Sequence, residues 1–290
     1  MRKLAELAMK SPKHSLFLAV IFACIPMLFW LSAAIVSLVI LRRGIDHGLK
    51  VLIWALLPGI AWAAFGQYSV LIGLATTALL ACVLRQTVSW PKTLLAVVPL
   101  GGLVAFAMYQ ISPQMISVMA GTVMEFLKKS LQGSSSLEAL QPGERLRQVL
   151  EYGVAGALAW VHILFCVLAL MLARSWQADL YNPGGFGEEF RKVRLPAAVG
   201  VGLLTITLMG SALSPVMTAL VPIASLPLFI AGLALVHGLV KLRQRGSFWL
   251  IGLYMLLITL TQLAYPVIVL TACLDSLFDF RNRVSKQIQG

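Results

Sequence analysis

The chain reads as an all-α protein, a polytopic transmembrane helical bundle of about seven to nine membrane helices, some short or proline-broken. Three observations predict this. Of the 290 residues, 59% are hydrophobic and only 12% are charged, against roughly 25% charged in ordinary soluble domains. The apolar residues gather in runs near the ~20 residues that a helix needs to cross a bilayer. The basic residues, which bring the net charge to +12, sit between those runs. A soluble globule of this composition would expose too much apolar surface, whereas in lipid a helix satisfies its own backbone hydrogen bonds.

Residues 1–14 carry Arg2, Lys3, Lys10 and Lys13 ahead of the first apolar run. That run, Ser15 to Leu41, continues past the roughly 7–15 residues of a secretory signal core, so an uncleaved membrane segment is expected. As one helix it would be about 40 Å long, and Pro26 inside it predicts a break into two short helices. A charged loop at 42–50 leads to a span from Val51 to Gly66, interrupted at Pro58-Gly59. After the charge-free turn Gln67-Tyr68-Ser69 come Val70 to Leu84, a basic loop at 85–92, and Thr93 to Tyr109 with Pro99 inside it.

Residues 110–151 form the longest polar stretch. Met115, Met119, Val123, Phe126 and Leu127 recur at helical spacing, which predicts an amphipathic interfacial helix, and Gly133-Ser134-Ser135-Ser136 predicts a flexible joint after it. Tyr152 to Ala173 is a clear span. Residues 174–195 read as a polar loop, with Trp176 and Tyr181 as interfacial anchors. Pro196 to Leu213 and Pro215 to Val240 are spans joined by a charge-free turn. Phe248 to Leu274 is a last long run, with a break expected at Pro266, and the tail follows from Asp275. The whole of 1–290 is expected to be a single integral membrane domain.

Loop charges predict orientation. The loops at 42–50, 85–92, 174–195 and 241–246 alternate onto one face and hold twelve Lys and Arg, so that face is expected in the cytoplasm. The 110–151 segment is then extracytoplasmic. A break at Pro26 would bring the N-terminus to the cytoplasm, and a second break in the last run would do the same for the tail.

Little in the chain carries chemistry. No Asp or Glu lies deep in a predicted span, which argues against proton pumping. Cys24, Cys82, Cys166 and Cys273 form no C-x-x-C pair, and the sequence contains no G-x-S-x-G, H-E-x-x-H or P-loop. No catalytic residue, metal site or cofactor is expected, and the chain is not expected to be an enzyme. The basic residues form no stripe on a soluble domain, so nucleic acid is not an expected partner either. The expected partner is the lipid bilayer.

Candidate solute-binding residues are His162, His237, Tyr254, Gln262 and Tyr265. The two histidines lie inside spans, where each is either a ligand contact or a neutral imidazole hydrogen-bonded to a neighbouring helix. Tyr254, Thr261, Gln262 and Tyr265 stand at i, i+7, i+8 and i+11, near one face of a continuous helix, beside Pro266. Such a face lines a solute site or bonds between helices. Candidate partner-docking residues are Trp176, Tyr181, Asp279, Arg281 and Arg283. Asp279 and Arg283 are spaced to pair at i, i+4.

Two stretches carry a resemblance. One is Leu172-Ala173-Arg174-Ser175-Trp176-Gln177-Ala178-Asp179-Leu180-Tyr181-Asn182-Pro183-Gly184-Gly185-Phe186, running on to Arg194-Leu195-Pro196; the other is Leu274-Asp275-Ser276-Leu277-Phe278-Asp279-Phe280-Arg281-Asn282-Arg283. They resemble the YybS-like family of bacterial membrane proteins, and the order of spans and loops is similar over most of the chain. The resemblance implies a multi-pass protein of the bacterial cytoplasmic (inner) membrane. It supplies no catalytic residues, because the family has no established activity. The architecture is also similar to the substrate-binding subunits of energy-coupling-factor transporters. Two functions follow as expectations. One is a small-solute binding or transport protein dependent on a membrane or cytoplasmic protein partner. The other is a membrane scaffold or assembly factor built on 174–195 and 275–283.

Overall fold

The computed structural model describes residues 2–130 and 143–289, and within them every regular element is a helix. In chain order these are α1 (Arg2–Lys10), α2 (Pro12–Ala23), α3 (Phe29–Arg43), α4 (Ile45–Ala64), α5 (Ser69–Thr87), α6 (Trp90–Ile111) and α7 (Pro113–Ser130). They continue as α8 (Glu144–Tyr181), α9 (Gly185–Arg191), α10 (Ala197–Leu213), α11 (Leu220–Leu242), α12 (Phe248–Thr259), α13 (Thr261–Phe278) and α14 (Phe280–Gln289). Among the described residues, seven segments are long and apolar enough to cross a membrane: Pro26–Arg43 and Val216–Leu242, in which a 3-10 turn leads into α3 and into α11, and the helices α4, α5, α6, α8 and α13. The apolar helices α2, α10 and α12 are shorter.

Pro26 divides the first run as expected. Ile25 is extended, the conformation a following proline enforces, and a 3-10 turn over Pro26–Leu28 reverses the chain. The Ser32 hydroxyl donates to the Ala19 carbonyl at 2.7 Å, tying α3 back onto α2. Pro58, Pro99 and Pro227, by contrast, lie within continuous helices.

The last run breaks at Leu260 (φ −127°, ψ 43°), not at Pro266. Hydroxyls on both sides of the break bond back into α12, Thr259 to the Met255 carbonyl at 2.8 Å and Thr261 to that of Leu257. Such back-bonding bends helices. Pro266 is left in the second turn of α13, inside a helix that continues through it as at Pro58, Pro99 and Pro227.

Residues 174–181, expected in a loop, continue α8. This helix has 38 residues and is about 57 Å long, well beyond a ~30 Å hydrocarbon core. No proline interrupts it before Asn182-Pro183, and Trp176 and Ala178, on different sides of the helix, are both buried. Asn182-Pro183-Gly184 ends it, with Gly184 at φ +85°. The expected amphipathic helix is α7, which buries Ile116 and Ala120 and leaves Val118 and Phe126 exposed. The joint expected at 133–136 lies outside the described residues.

Antiparallel packing gives the bundle two ends. At one, Arg43 donates to the Met9 carbonyl (2.6 Å), Arg85 to those of Ile40 and Leu41 (3.0 and 2.7 Å), and Arg281 to those of Arg191 and Val193 (2.6 and 2.7 Å). At the other, Tyr109 donates to Glu151 (3.2 Å) and the Trp62 indole to the Cys24 carbonyl (3.1 Å). The hairpins at Pro26 and Leu260 bring α1 and α14 to the first end. Of the 23 Lys and Arg, all but Lys128, Lys129, Arg145 and Arg147 belong to that end. We call it the basic face.

Close approach positions α13. A Cβ on Gly232 would stand 2.5 Å from the Ile268 carbonyl oxygen, so only glycine lets α11 and α13 touch backbone to backbone there.

Candidate functional site: a lateral cavity lined by Tyr265

A cavity of about 490 Å³ opens on the side of the bundle between α8, α10, α11 and α13. Its size falls in the ~300–1,000 Å³ range of small-molecule sites. Leu204, Val221, Pro222 and Val269 make apolar walls, and the exposed Leu208 and Leu270 form a rim on the outer surface of the bundle.

The polar part is an ordered chain. The Trp160 indole N–H donates to the Tyr265 oxygen at 3.2 Å. Tyr265 and Ser225 are joined through their hydroxyls at 2.6 Å, and the Ser225 hydroxyl lies 2.6 Å from the Pro222 carbonyl. Since that carbonyl only accepts, Ser225 donates to it and Tyr265 donates to Ser225. Phe229 stacks on the Tyr265 ring with centroids 4.6 Å apart, and Trp160 meets it edge-on at 5.8 Å. The chain ties α8, α11 and α13 together and spends its own donors internally. Gln262 is exposed on the cavity wall, and its amide has no hydrogen-bond partner among the described residues. The site therefore offers an apolar volume with one free amide, and no arrangement of nucleophile and base.

The five expected solute contacts fall in three places. Gln262 and Tyr265 line the cavity, with Thr261 beside them. His162 instead joins helices: its Nδ1 lies 3.0 Å from the Leu158 carbonyl and its Nε2 3.1 Å from the Ser69 hydroxyl. Nδ1–H therefore donates to the carbonyl, and Nε2 accepts from Ser69. His237 and Tyr254 bond to each other at 2.9 Å, with the Phe190 ring edge-on to the imidazole. The single face expected for Tyr254, Gln262 and Tyr265 is lost because the break at Leu260 puts Tyr254 on α12 and the other two on α13. Trp160 and Ser225 were missed. Each is a polar-capable residue in an apolar run that also holds a more conspicuous histidine, and the only signal for Ser225 is its place between Pro222 and Pro227.

The expected docking residues are also redistributed. Trp176 is 1% exposed, a core residue and not an interfacial anchor, because α8 carries it inward. Tyr181 is exposed and lies under the Arg42 guanidinium, 3.9 Å from its ring centre. Asp279 does not pair with Arg283. It takes a left-handed conformation (φ +50°) between α13 and α14, where it accepts from Arg194 at 3.1 Å and from the Asn282 backbone at 3.3 Å. Arg283 reaches over the Phe278 ring at 5.5 Å. Arg281 turns inward to Asp275 (2.9 Å) and to the two carbonyls of the 191–193 segment. Arg194 reaches the opposite way, to the Asp275 and Ser276 carbonyls, both at 3.0 Å. Two reciprocal arginines thus clamp the segment after α9 to the end of α13.

No group of three or more metal-ligating side chains occurs among the described residues. No family model matches the chain, and neither a curated protein nor a solved structure matches it. The fold itself defines the class, a multi-pass α-helical integral membrane protein in contact with the lipid bilayer.

Proposed function

We propose that the chain binds a small, largely apolar solute in the lateral cavity and acts in its transport together with a membrane or cytoplasmic protein partner, without catalysing a reaction. The cavity carries this reading. Its walls are apolar, its rim opens toward lipid, and the Gln262 amide is left free to hold one polar group of the solute. The scaffold alternative rested on 174–195 and 275–283. Two of their arginines, Arg194 and Arg281, are spent on each other's segments and are not free to meet a partner, which favours the solute reading. We further propose that the basic face is cytoplasmic and that the membrane is the bacterial inner membrane. The concentration of Lys and Arg on that face supports the first part, and the resemblance to YybS-like proteins supports the second.

The test is mass spectrometry of small molecules extracted from the purified protein. An apolar species is expected with the wild type, depleted about fivefold in Gln262→Leu, the equivalent of one intramembrane hydrogen bond. Thr207→Trp, which fills the cavity from its wall, is expected to lose it altogether, and Tyr254→Phe to leave it unchanged. Equal recovery from the wild type and Thr207→Trp would end the proposal. Orientation is read from single cysteines placed at Gly246 and Gly66 after replacement of Cys24, Cys82, Cys166 and Cys273. An impermeant thiol reagent is expected to label position 66 in intact cells and position 246 only after lysis; the reverse pattern inverts the assignment.

A further inference from the structure

On the basic face a second cavity, of about 540 Å³, lies between α9, the end of α11 and α14. Five cations line it: Arg191, Lys192, Arg194, Lys241 and Arg281. Glu188 and Asp279 are the carboxylates on its wall. Arg194 pairs with Asp279 at 3.1 Å and Arg281 with the buried Asp275 at 2.9 Å. Arg191, Lys192 and Lys241 have no ion pair among the described residues, with Glu188 the one carboxylate left on the wall beside them. The cavity sits where the apolar spans α11 and α13 end, with Leu242 in its wall.

We propose that this cleft binds a phosphate ester anion. Three cations without an ion pair, set against the single carboxylate of Glu188, leave an excess of two positive charges around one concavity and attract an anion of more than one charge, and the planar guanidinium of Arg191 offers two parallel donors to phosphate oxygens. Basic pockets between membrane helices suit phospholipid headgroups, and a soluble phosphate ester presents the same oxygens. The site is separate from the lateral cavity and does not depend on the solute reading. The clamp is its rigid back wall, because Arg194 and Arg281 are already held by carboxylates and carbonyls.

The test uses the full chain, with phosphatidylglycerol against phosphatidylcholine in nanodiscs as the lipid probes and inorganic pyrophosphate in lipid-free detergent as the soluble probe. The variant is Arg191→Gln/Lys241→Gln, whose side chains take no part in the clamp. The control, Lys128→Gln/Lys129→Gln, removes the same charge from the opposite face. The wild type is expected to retain phosphatidylglycerol over phosphatidylcholine by native mass spectrometry. The variant is expected to bind it about thirtyfold more weakly, and the control like the wild type. If only pyrophosphate, read as a rise in Tm, shows this dependence on Arg191 and Lys241, the site holds and its ligand is soluble. The proposal is overturned if neither probe binds, if the variant binds both as the wild type does, or if the control loses binding equally.

Discussion

The arginine clamp on the basic face yields a sharp prediction. The Asp275 side chain is 2% exposed and that of Arg281 12%, so their pair is largely out of water. Arg281→Met would remove the partner of Asp275 and two further bonds, to the carbonyls of Arg191 and Val193. Breaking a buried pair from one side costs about 3–5 kcal/mol, because a charge is left buried and uncompensated. At ~2 °C per kcal/mol for a chain of this size, the expected loss in Tm is about 6–10 °C. Asp275→Asn alone still offers an oxygen to the Phe280 N–H, which now bonds Asp275 at 3.0 Å, but it strands Arg281. The double variant Asp275→Asn/Arg281→Met removes both charges and is expected to lose less than the sum of the singles, with a coupling of at least ~1 kcal/mol. The assay is thermal unfolding of purified protein in one detergent. A Tm for Arg281→Met within about 2 °C of the wild type, or strict additivity in the cycle, would refute the argument that this pair is buried and mutually dependent.

Two further outcomes follow from packing and from the polar chain. Gly232→Ala would bring a Cβ to 2.5 Å from the Ile268 carbonyl oxygen, which forces α13 away from α11; a loss of about 1–3 kcal/mol is expected in the same unfolding assay, and a neutral effect would contradict the close approach. Tyr265→Phe removes the hydroxyl shared by Trp160 and Ser225. It is expected to cost ~0.6–1.7 kcal/mol per bond, and a cycle with Ser225→Ala should show coupling, whereas additive losses would mean that the two hydroxyls do not interact.

Much of the site was legible in part. Gln262 and Tyr265 stand out as polar residues beside a proline in an apolar run, and both line the cavity. Their expected companion Tyr254 does not, because helical phase carries across eleven residues only while the helix is unbroken, and it breaks at Leu260. Trp160 stands 105 residues before Tyr265 in the chain, and no local period connects them. Trp176 looked like an interfacial aromatic because charges surround it in sequence, but α8 continues through it and neighbouring helices bury its ring.

By itself the sequence determined that this is a helical membrane protein, where its apolar runs lie and that the first of them carries a proline able to break it; that the chain reverses at Pro26 was decided by the structure. Those properties follow from local quantities: the length of an apolar run against the thickness of a bilayer, the charge of a loop, and a ring that removes an N–H. The tertiary structure alone decided that α8 runs on to Tyr181, that the last break falls at Leu260, and that Arg194 meets Asp275 and Asp279 across more than eighty residues. Each of those depends on which helices lie side by side, and neighbours distant in the chain leave no period in the sequence to read.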